Sequence, residues 1–310
     1  MSGAALGPGA EFDLIRTLLD RWQDRARGIG DDVAALDIPA GERVVASTDV
    51  SVEHVHFKRE WLTPREIGYR ATAAALSDLA AAAAVPLGIL VALTLPESWR
   101  ESATALADGI GDAAAEAETH IIGGDLSGGT ELSLAITVLG RAASPLQRGG
   151  ARAGDALYVT GRLGGPFLAL HAWRTGLEPD REARARFAHP APRIREAQWL
   201  HAHGATAAID ISDGLLGDAA HIAAASSATL HLELDALRVL DGVDPLDAAR
   251  SGEEYELLVT APARLDVAAF EREFHLPLTP VGRVERGLAG VHATLRGTRV
   301  AATGGFSHFS

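Results

Sequence analysis

A nine-residue stretch in the second half of the chain combines a short apolar strand, a tight turn and the start of a helix. It reads Ala-Ile-Asp-Ile-Ser-Asp-Gly-Leu-Leu (208–216). The apolar run 206–211 predicts the strand, and the helix is expected to continue to about Ser226. Asp210 falls at the strand's end and Asp213 at the expected N-cap. Either the two carboxylates flank a metal-bound phosphate at the helix N-terminus, or they only cap the helix and form the turn.

The order of predicted elements indicates two α/β domains of the α+β type. Helices and strands alternate on both sides of a Gly-, Ala- and Arg-rich segment near 147–155. We therefore expect domains at 1–147 and 148–310. Strands are predicted at 33–38, 43–48, 87–95, 120–122, 131–140, 156–160, 206–211, 230–234, 255–260 and 278–284. Helices are predicted at 12–22, 64–84, 97–118, from Gly164 onward, 193–203, from the turn after Ile211 to about Ser226, 244–250 and 264–274. Residues 181–192 are predicted to be a polar connection.

Charge and composition exclude several classes of function. The net charge of −13 argues against nucleic acid and anionic membranes as partners. With no cysteine, the chain has no disulfide, thiolate metal site or cysteine nucleophile, which fits a cytoplasmic location. Its single lysine, Lys58, lies in neither a P-loop nor a protein-kinase motif. The uncharged run 79–96 is interrupted by Pro86 and Gly88, so we do not expect a membrane span there.

Aspartates recur beside glycines at the predicted strand ends. The acidic set comprises Asp31, Asp32, Asp49, Asp78, Asp125, Asp210 and Asp213. All but Asp78, which lies on a predicted helix, are at a strand end or in a Gly-containing turn, where ligands of α/β sheets usually bind. Carboxylates without cysteine favour Mg²⁺ or Mn²⁺ over zinc. Each motif alone is equally compatible with an ordinary turn or helix surface.

Four other residues have two interpretations each. His54 and His56, two apart on a predicted strand, could form a metal pair or be surface histidines. Arg148 could be a phosphate ligand or an ordinary surface arginine. Phe306 could be a core side chain or a stacking platform.

Taken in order, the motifs resemble those of the thiamine-monophosphate kinase family, within the aminoimidazole-ribonucleotide synthetase-like superfamily. The similarity runs from Glu11 to Phe309. The matching segments are Gly28-Ile29-Gly30-Asp31-Asp32, Ser47-Thr48-Asp49 with His56-Phe57, Leu76-Ser77-Asp78-Leu79-Ala80-Ala81, Ile122-Gly123-Gly124-Asp125, 209–215, Ser251-Gly252-Glu253-Glu254-Tyr255-Glu256-Leu257 and Gly305-Phe306-Ser307-His308-Phe309.

The resemblance implies a homodimer whose amino-terminal sheets join into a barrel, with an amino-terminal domain that binds ATP and Mg²⁺. It implies ATP-dependent phosphorylation of thiamine monophosphate to thiamine diphosphate by direct in-line transfer, with no catalytic side chain. By matching position, several Mg²⁺ ions would be held by Asp32, Ser47, Thr48, Asp49, Asp78, Asp125, Asp210 and Asp213. ATP would contact Gly124, Arg148 and Ser212, and the substrate would lie near His56, Glu253 and Phe306.

Three positions depart from the family pattern. Glu254 stands where the family usually has aspartate, and Leu126 follows Gly-Gly-Asp where a polar residue is usual. Phe306 replaces a tyrosine or tryptophan, which keeps the aromatic face and loses the polar group. None of the three is an expected metal ligand, so catalysis should survive them.

Three alternatives remain open at the level of sequence. One is a sister ATP-dependent enzyme of the superfamily acting on another substrate. Another is a metal-dependent phosphohydrolase, since carboxylate clusters also serve two-metal hydrolysis. The third is a binding protein that senses thiamine phosphates, against which the retained aspartates argue because buried, idle carboxylates are costly.

Overall fold

The chain divides into two compact units in a computed structural model that describes residues 9–29 and 33–302. The first unit comprises the chain up to Leu79 together with Ala84–Ser144, and the second comprises Ala80–Ala83 and the chain from Pro145 onward. The domain limits 1–147 and 148–310 remain a proposal. Among the described residues, no helix has the length and apolar character needed to cross a bilayer.

The first unit is a four-stranded sheet with helices. Its helices are α1 (Ala10–Trp22), α2 (Pro64–Ala81) and α3 (Ala103–Glu116), and its strands are β1 (Arg43–Val52), β2 (Val85–Leu95), β3 (Ile121–Gly128) and β4 (Ser133–Ala142). The strand order is β1-β4-β2-β3. Strands β1 and β2 are antiparallel to β4, and β3 is parallel to β2. The expected helix at 97–118 is divided into a 3₁₀ segment, Glu97–Ser102, and α3.

Two glycines allow close packing of α2 against α3. A Cβ at Gly109 of α3 would overlap the carbonyl oxygen of Arg65, and a Cβ at Gly68 of α2 would overlap that of Leu106. The two backbones therefore approach more closely than any larger residue would permit. Under them, alternate residues of β4, namely Leu134, Ile136 and Val138, are fully buried, as expected for a sheet with one covered face.

The second unit is built on a seven-stranded sheet. Its strands are β5 (Asp155–Thr160), β6 (Ala207–Asp210), β7 (Thr229–Glu233), β8 (Leu257–Pro262), β9 (Leu278–Glu285), β10 (Gly290–Leu295) and β11 (Thr298–Val300). Its helices are α4 (Gly165–Arg174), α5 (Arg181–Ala188), α6 (Ile194–Ala202), α7 (Leu215–Ser226), α8 (Pro245–Arg250) and α9 (Val267–Phe274). The order is β11-β10-β7-β9-β5-β8-β6, and only β7 and β10 are parallel. The α+β class is thereby confirmed.

Several predicted elements were wrong. Residues 33–38 form no strand. The supposed connection 181–192 contains helix α5, because Asp180 caps it by accepting from the N–H of Ala183 at 2.9 Å and Phe187 is buried edge-on against Trp173. The hairpin β10–β11 was not predicted. Its strands are short, and β10 pairs in parallel with β7, which is distant in sequence.

Two expected strand ends lie inside strands instead. Strand β1 continues past Asp49 to Val52, because Val50 and Val52 pair with β4, and β-branched residues favour extended backbone. Strand β3 continues through Gly123-Gly124-Asp125, which pair with β2. Asp49 and Asp125 therefore lie within strands of the sheet rather than at strand ends.

Candidate functional site

In the first unit, a hydroxyl and a carboxylate from different elements meet. The Oγ of Ser47, in the middle of β1, donates to Oδ2 of Asp78, on α2, at 2.5 Å. Asp49 follows two residues later and is half-buried like Ser47, so strand alternation places both on the same face. Three predicted metal ligands thus share one side of β1, and all offer oxygen.

Thr48 faces the other way. Its hydroxyl lies 2.9 Å from the hydroxyl of Thr137, its partner on β4, and both are on the more exposed face. The side chain of Thr48 therefore does not lie beside those of Ser47 and Asp49. Its predicted role as a metal ligand stays a prediction.

Gly124 and Asp125 lie at the edge of the same sheet. A Cβ at Gly124 would overlap the carbonyl oxygen of Val91, so only glycine fits this approach to β2. Asp125 pairs with Ala92 and is exposed. This edge borders an apolar cavity of about 510 Å³. The cavity's lining includes Phe12, Leu19, Trp22, Ile110, Gly124 and Asp125.

The wall of the cavity is fixed by a buried hydrogen bond. Trp22 Nε1, at the end of α1, donates to the carbonyl of Ala107 on α3 at 2.7 Å. This bond ties α1 to α3, and both helices contribute apolar side chains to the lining of the cavity. Such an arrangement suits a flat aromatic ligand with a charged extension.

In the second unit, the turn between β6 and α7 places the acidic residues as the sequence suggested, with one correction. Asp210 ends β6 and is 5% exposed, paired with Leu257 of β8. Asp213 is not the N-cap of α7. That position belongs to Gly214, whose φ of 121° disfavours other residues. Asp213 therefore does not cap α7.

The side chain that accepts from the backbone N–H groups before α7 is that of Asp218, which the sequence analysis did not identify. Its Oδ2 accepts from the backbone N–H groups of Ser212, Asp213 and Gly214 at 3.1, 3.3 and 3.0 Å. A carboxylate four residues after the glycine, in the first turn of a helix, was the available signal. Asp218 is 2% exposed, and burial together with the charge of Asp213 raises its pKa to about 7.

Asp213 and Asp218 form a group of oxygen donors with one nitrogen donor, His221. One ligand atom from each of the three lies within 4.8 Å of the others. Asp213 is half-buried and His221 is exposed, so the group opens toward solvent. Carboxylate oxygens dominate here as in the first unit, and this donor chemistry suits a hard divalent cation such as Mg²⁺.

The segment 251–256 is attached to the same turn by its backbone. The N–H of Glu253 donates to the carbonyl of Ser212 at 2.7 Å, and those of Glu254 and Tyr255 donate to Ile211 at 3.1 and 2.9 Å. Glu253, expected near the substrate, is therefore a neighbour of Ser212, expected near ATP. Gly252 permits the contact, since a Cβ there would lie 2.7 Å from the carbonyl oxygen of Ser212.

Two glutamates of this segment, Glu254 and Glu256, are buried in opposite electrostatic environments. Glu254 accepts from the N–H of Gly164 at 2.6 Å, its Oε2 has no partner among the described residues, and burial raises its pKa to about 8. For Glu256, burial opposes ionisation. The charges and hydrogen bonds of Arg193 and Arg186 outweigh it and lower the pKa to about 2.

The two histidines are on a turn, not on the predicted strand. His54 has φ of 68°, and His56 Nδ1 accepts from the N–H of Val52 at 3.1 Å. His54 Nε2 lies 3.8 Å from a carboxylate oxygen of Glu131, with both side chains exposed. A metal pair of His54 and His56 on one strand face is therefore wrong.

The remaining predicted residues are placed only in part. Arg148 is exposed, and its carbonyl accepts from the hydroxyl of Ser226 at 2.9 Å. Asp31, Asp32 and Phe306 lie outside the described residues. Within each unit, the structure thus groups Ser47 with Asp49 and Asp78, and Asp210, Ser212 and Asp213 with Glu253.

Comparison with known proteins finds matches to both halves of the chain. Residues 30–142 match the AIR synthase related protein, N-terminal domain, and residues 152–292 match the C-terminal domain. The thiamine-monophosphate kinase of Salmonella typhimurium is 36% identical, over 97% of this chain and 98% of its own. A crystal structure of thiamine-monophosphate kinase from Stenotrophomonas maltophilia has 36% identity and a TM-score of 0.82, covering 92% of this chain and 96% of that one.

A further solved structure contains ligands. AaThiL complexed with AMPPCP and TMP is 28% identical, with a TM-score of 0.77 and 96% of each chain covered. Hydrogenase maturation protein HypE, solved in complex with ATP, has a TM-score of 0.79 at 22% identity, which shows only a common fold. Given near-complete coverage at 36% identity and both domain matches, the chain belongs to the thiamine-monophosphate kinase family of AIR synthase related proteins.

Proposed function

We propose that this protein transfers the γ-phosphoryl group of ATP to thiamine monophosphate, giving thiamine diphosphate, the last step of that cofactor's biosynthesis. The observation that carries the proposal is the backbone pairing of the 251–256 segment with the turn that holds Asp210, Ser212 and Asp213. This pairing brings Glu253, the residue expected to contact the acceptor, next to the turn with Ser212, expected to contact ATP, and with the two expected metal ligands. The relative solved with both AMPPCP and TMP supports the same pair of ligands.

The apolar cavity of the first unit is the proposed place of the adenine ring. Its volume of about 510 Å³ exceeds what a purine requires, and most of its lining is aliphatic or aromatic. Gly124 and Asp125 border it, so a nucleotide with its base inside would extend its phosphates along β3. The backbone at Gly124, free of a side chain, permits close approach of the phosphate oxygens.

The proposed magnesium ligands are those predicted from the sequence, namely Asp32, Ser47, Thr48, Asp49, Asp78, Asp125, Asp210 and Asp213. When bound, Mg²⁺ would neutralise the phosphate groups and lower the repulsion between the two anionic substrates. The donor set fits this ion, because Ser47 Oγ and Asp78 Oδ2 lie in contact and Asp49 shares their face. No cysteine competes for a softer metal.

The chain's own residues would orient the reactants. Ser212 and the charged Arg148 would contact ATP, while His56, Glu253 and Phe306 would hold the acceptor. The acceptor phosphate has a second pKa of about 6 and is largely ionised near neutral pH, so no general base is required. We therefore propose direct in-line transfer without a phosphoenzyme, with rate acceleration arising from alignment and charge neutralisation.

A homodimer is proposed from the exposed face of β1. Val44 and Val50 are 48% and 47% exposed and lie on the face that carries Thr48. An edge strand with an apolar exposed face is suited to pairing or packing with a second copy. The amino-terminal sheet is the proposed contact, and the cytoplasmic location stays a prediction.

The test incubates the purified protein with ATP, Mg²⁺ and thiamine monophosphate and follows thiamine diphosphate by chromatography. We expect product that depends on both ATP and Mg²⁺. Phosphate release from thiamine monophosphate without ATP would favour the phosphohydrolase. ATP consumption only with a different phosphate ester would favour a sister enzyme, and ligand binding without turnover would favour the sensor.

A further inference from the structure

The segment that carries Glu253 is held in an unusual backbone conformation. Glu253 has φ of 66° and Tyr255 has φ of 53°. Both values lie in the left-handed region, which residues other than glycine rarely adopt. Hydrogen bonds from both residues to the turn at Ile211 and Ser212 hold them there. Such strain persists only where the surroundings impose it, and it is often found at ligand-binding segments.

The consequence of this conformation is a contact between the two side chains. Tyr255 Oη donates to Glu253 Oε2 at 2.6 Å, a short hydrogen bond to a carboxylate. Neighbours two apart on a regular strand lie on the same face without converging this closely. Both residues are only half-buried, so part of each side chain is exposed at the surface.

We propose that Tyr255 is a positioning residue that fixes the carboxylate of Glu253 for recognition of the acceptor. This inference rests on the proposed function, under which Glu253 contacts thiamine monophosphate. That substrate carries a positively charged thiazolium and an amino-substituted ring, and a carboxylate suits both. A carboxylate offers several acceptor sites, so the bond from the phenol does not exhaust its capacity.

The hydrogen bond from Tyr255 preorganises the Glu253 side chain for binding. A glutamate side chain loses considerable rotamer freedom when it binds a ligand, and an existing bond at one oxygen removes part of that loss beforehand. Tyr255 therefore acts on the affinity for the acceptor and has no role in the phosphoryl transfer itself. Its effect belongs in the KM for thiamine monophosphate and not in the KM for ATP.

The contact is tested first through unfolding, which requires no ligand. Urea midpoints are measured for wild type, Tyr255→Phe, Glu253→Ala and the double variant. We expect the urea midpoint of the double variant to fall by less than the sum of the decreases in the two single variants. Strictly additive shifts would mean that the side chains do not interact, and would overturn the proposal.

Positioning is tested by steady-state kinetics of the same variants. We expect Tyr255→Phe to raise the KM for thiamine monophosphate about tenfold, with kcat and the KM for ATP nearly unchanged. When Tyr255→Phe is added to Glu253→Ala, the KM for thiamine monophosphate should rise no further than in Glu253→Ala alone. Tyr158→Phe is the matched control, because its hydroxyl donates at 3.3 Å to the carbonyl of Pro262 and the variant should behave as wild type.

The outcomes separate the two proposals. An active wild type in which Tyr255→Phe leaves the KM for thiamine monophosphate unchanged overturns only the positioning role. A kcat loss at constant KM would also overturn it, since that would place Tyr255 in the transfer step. A wild type that makes no thiamine diphosphate overturns the proposed function, and this inference with it.

Discussion

The carboxylate of Asp218 lies against the backbone nitrogen of Gly214, with 3.0 Å between Oδ2 and N. The same oxygen accepts from Ser212 and Asp213, so one buried side chain shapes the whole turn that precedes α7. Three backbone N–H groups that converge in this way form an anion-binding concavity. Here a side chain fills it, which fixes where Ser212 and Asp213 present their own side chains.

Substitution Asp218→Ala should destabilise the protein and disturb the turn together. Three N–H groups would lose their acceptor, for which about 1–3 kcal/mol is a reasonable loss in the free energy of unfolding. Asp218→Asn keeps one carbonyl acceptor and should lose less. Urea unfolding monitored by circular dichroism measures both. Equal stability of the alanine variant and the wild type would show that the turn does not depend on this side chain.

Gly124→Ala should impair nucleotide binding, whereas Gly128→Ala on the same strand should not. A Cβ at Gly124 would overlap the carbonyl of Val91, while one at Gly128 meets no atom within 4 Å. The displaced edge would shift the proposed phosphate-binding backbone, and we expect at least about tenfold weaker binding, or about 1.4 kcal/mol. Calorimetric titration with AMPPCP and Mg²⁺ gives the affinities. Equal affinities for the two variants would remove Gly124 from the ATP site.

Local sequence patterns predicted much of the fold, and the exceptions have physical causes. The turn after Asp210 was recognisable because a strand, a glycine and a helix follow within a few residues. Asp218 was missed because its hydrogen-bond donors are backbone N–H groups, which any residue supplies, so only its place in the first turn of α7 marked it. Strand β1 was predicted too short because its length is set by pairing with β4, about ninety residues away. Asp49 was consequently expected at a strand end.

Stability should fall as the pH rises, in part through Glu254. Burial raises the pKa of this carboxyl from 4.5 to about 8, so the folded protein retains a proton that the unfolded chain releases. Its contribution is complete below pH 4.5 and is lost as the pH rises through 8, at up to about 1.4 kcal/mol per pH unit. Glu254→Gln should flatten the decline in urea midpoint between pH 5 and 8, and exposed Glu178→Gln should not. Parallel curves for wild type and Glu254→Gln would argue against a neutral Glu254.

Arg193→Met should be among the most damaging substitutions in the second unit. Arg193 donates to both oxygens of Glu256, at 2.8 and 2.6 Å, and Glu256 is 1% exposed. Removal of Arg193 leaves the buried carboxylate with Arg186 as its remaining cationic partner, so we expect a loss of about 3 kcal/mol in the free energy of unfolding, the lower end for a broken buried pair. In the double variant Arg193→Met/Glu256→Met the charge is absent, and part of the stability should return. Urea unfolding of the three proteins measures this, and a double variant less stable than Arg193→Met would contradict the explanation.

Asp210→Asn should nearly abolish turnover and leave the fold intact. The amide is close in size to the carboxylate, so the end of β6 can keep its pairing with Leu257. The lost negative charge is what a divalent cation would require. We expect kcat to fall by a factor of at least about 100, comparable to removal of a transition-state contact of about 3 kcal/mol. Asp247→Asn, exposed on α8, is the matched control. Thiamine diphosphate formation gives the rates and thermal unfolding verifies the fold. A near-normal rate in Asp210→Asn would exclude this carboxylate from the metal site.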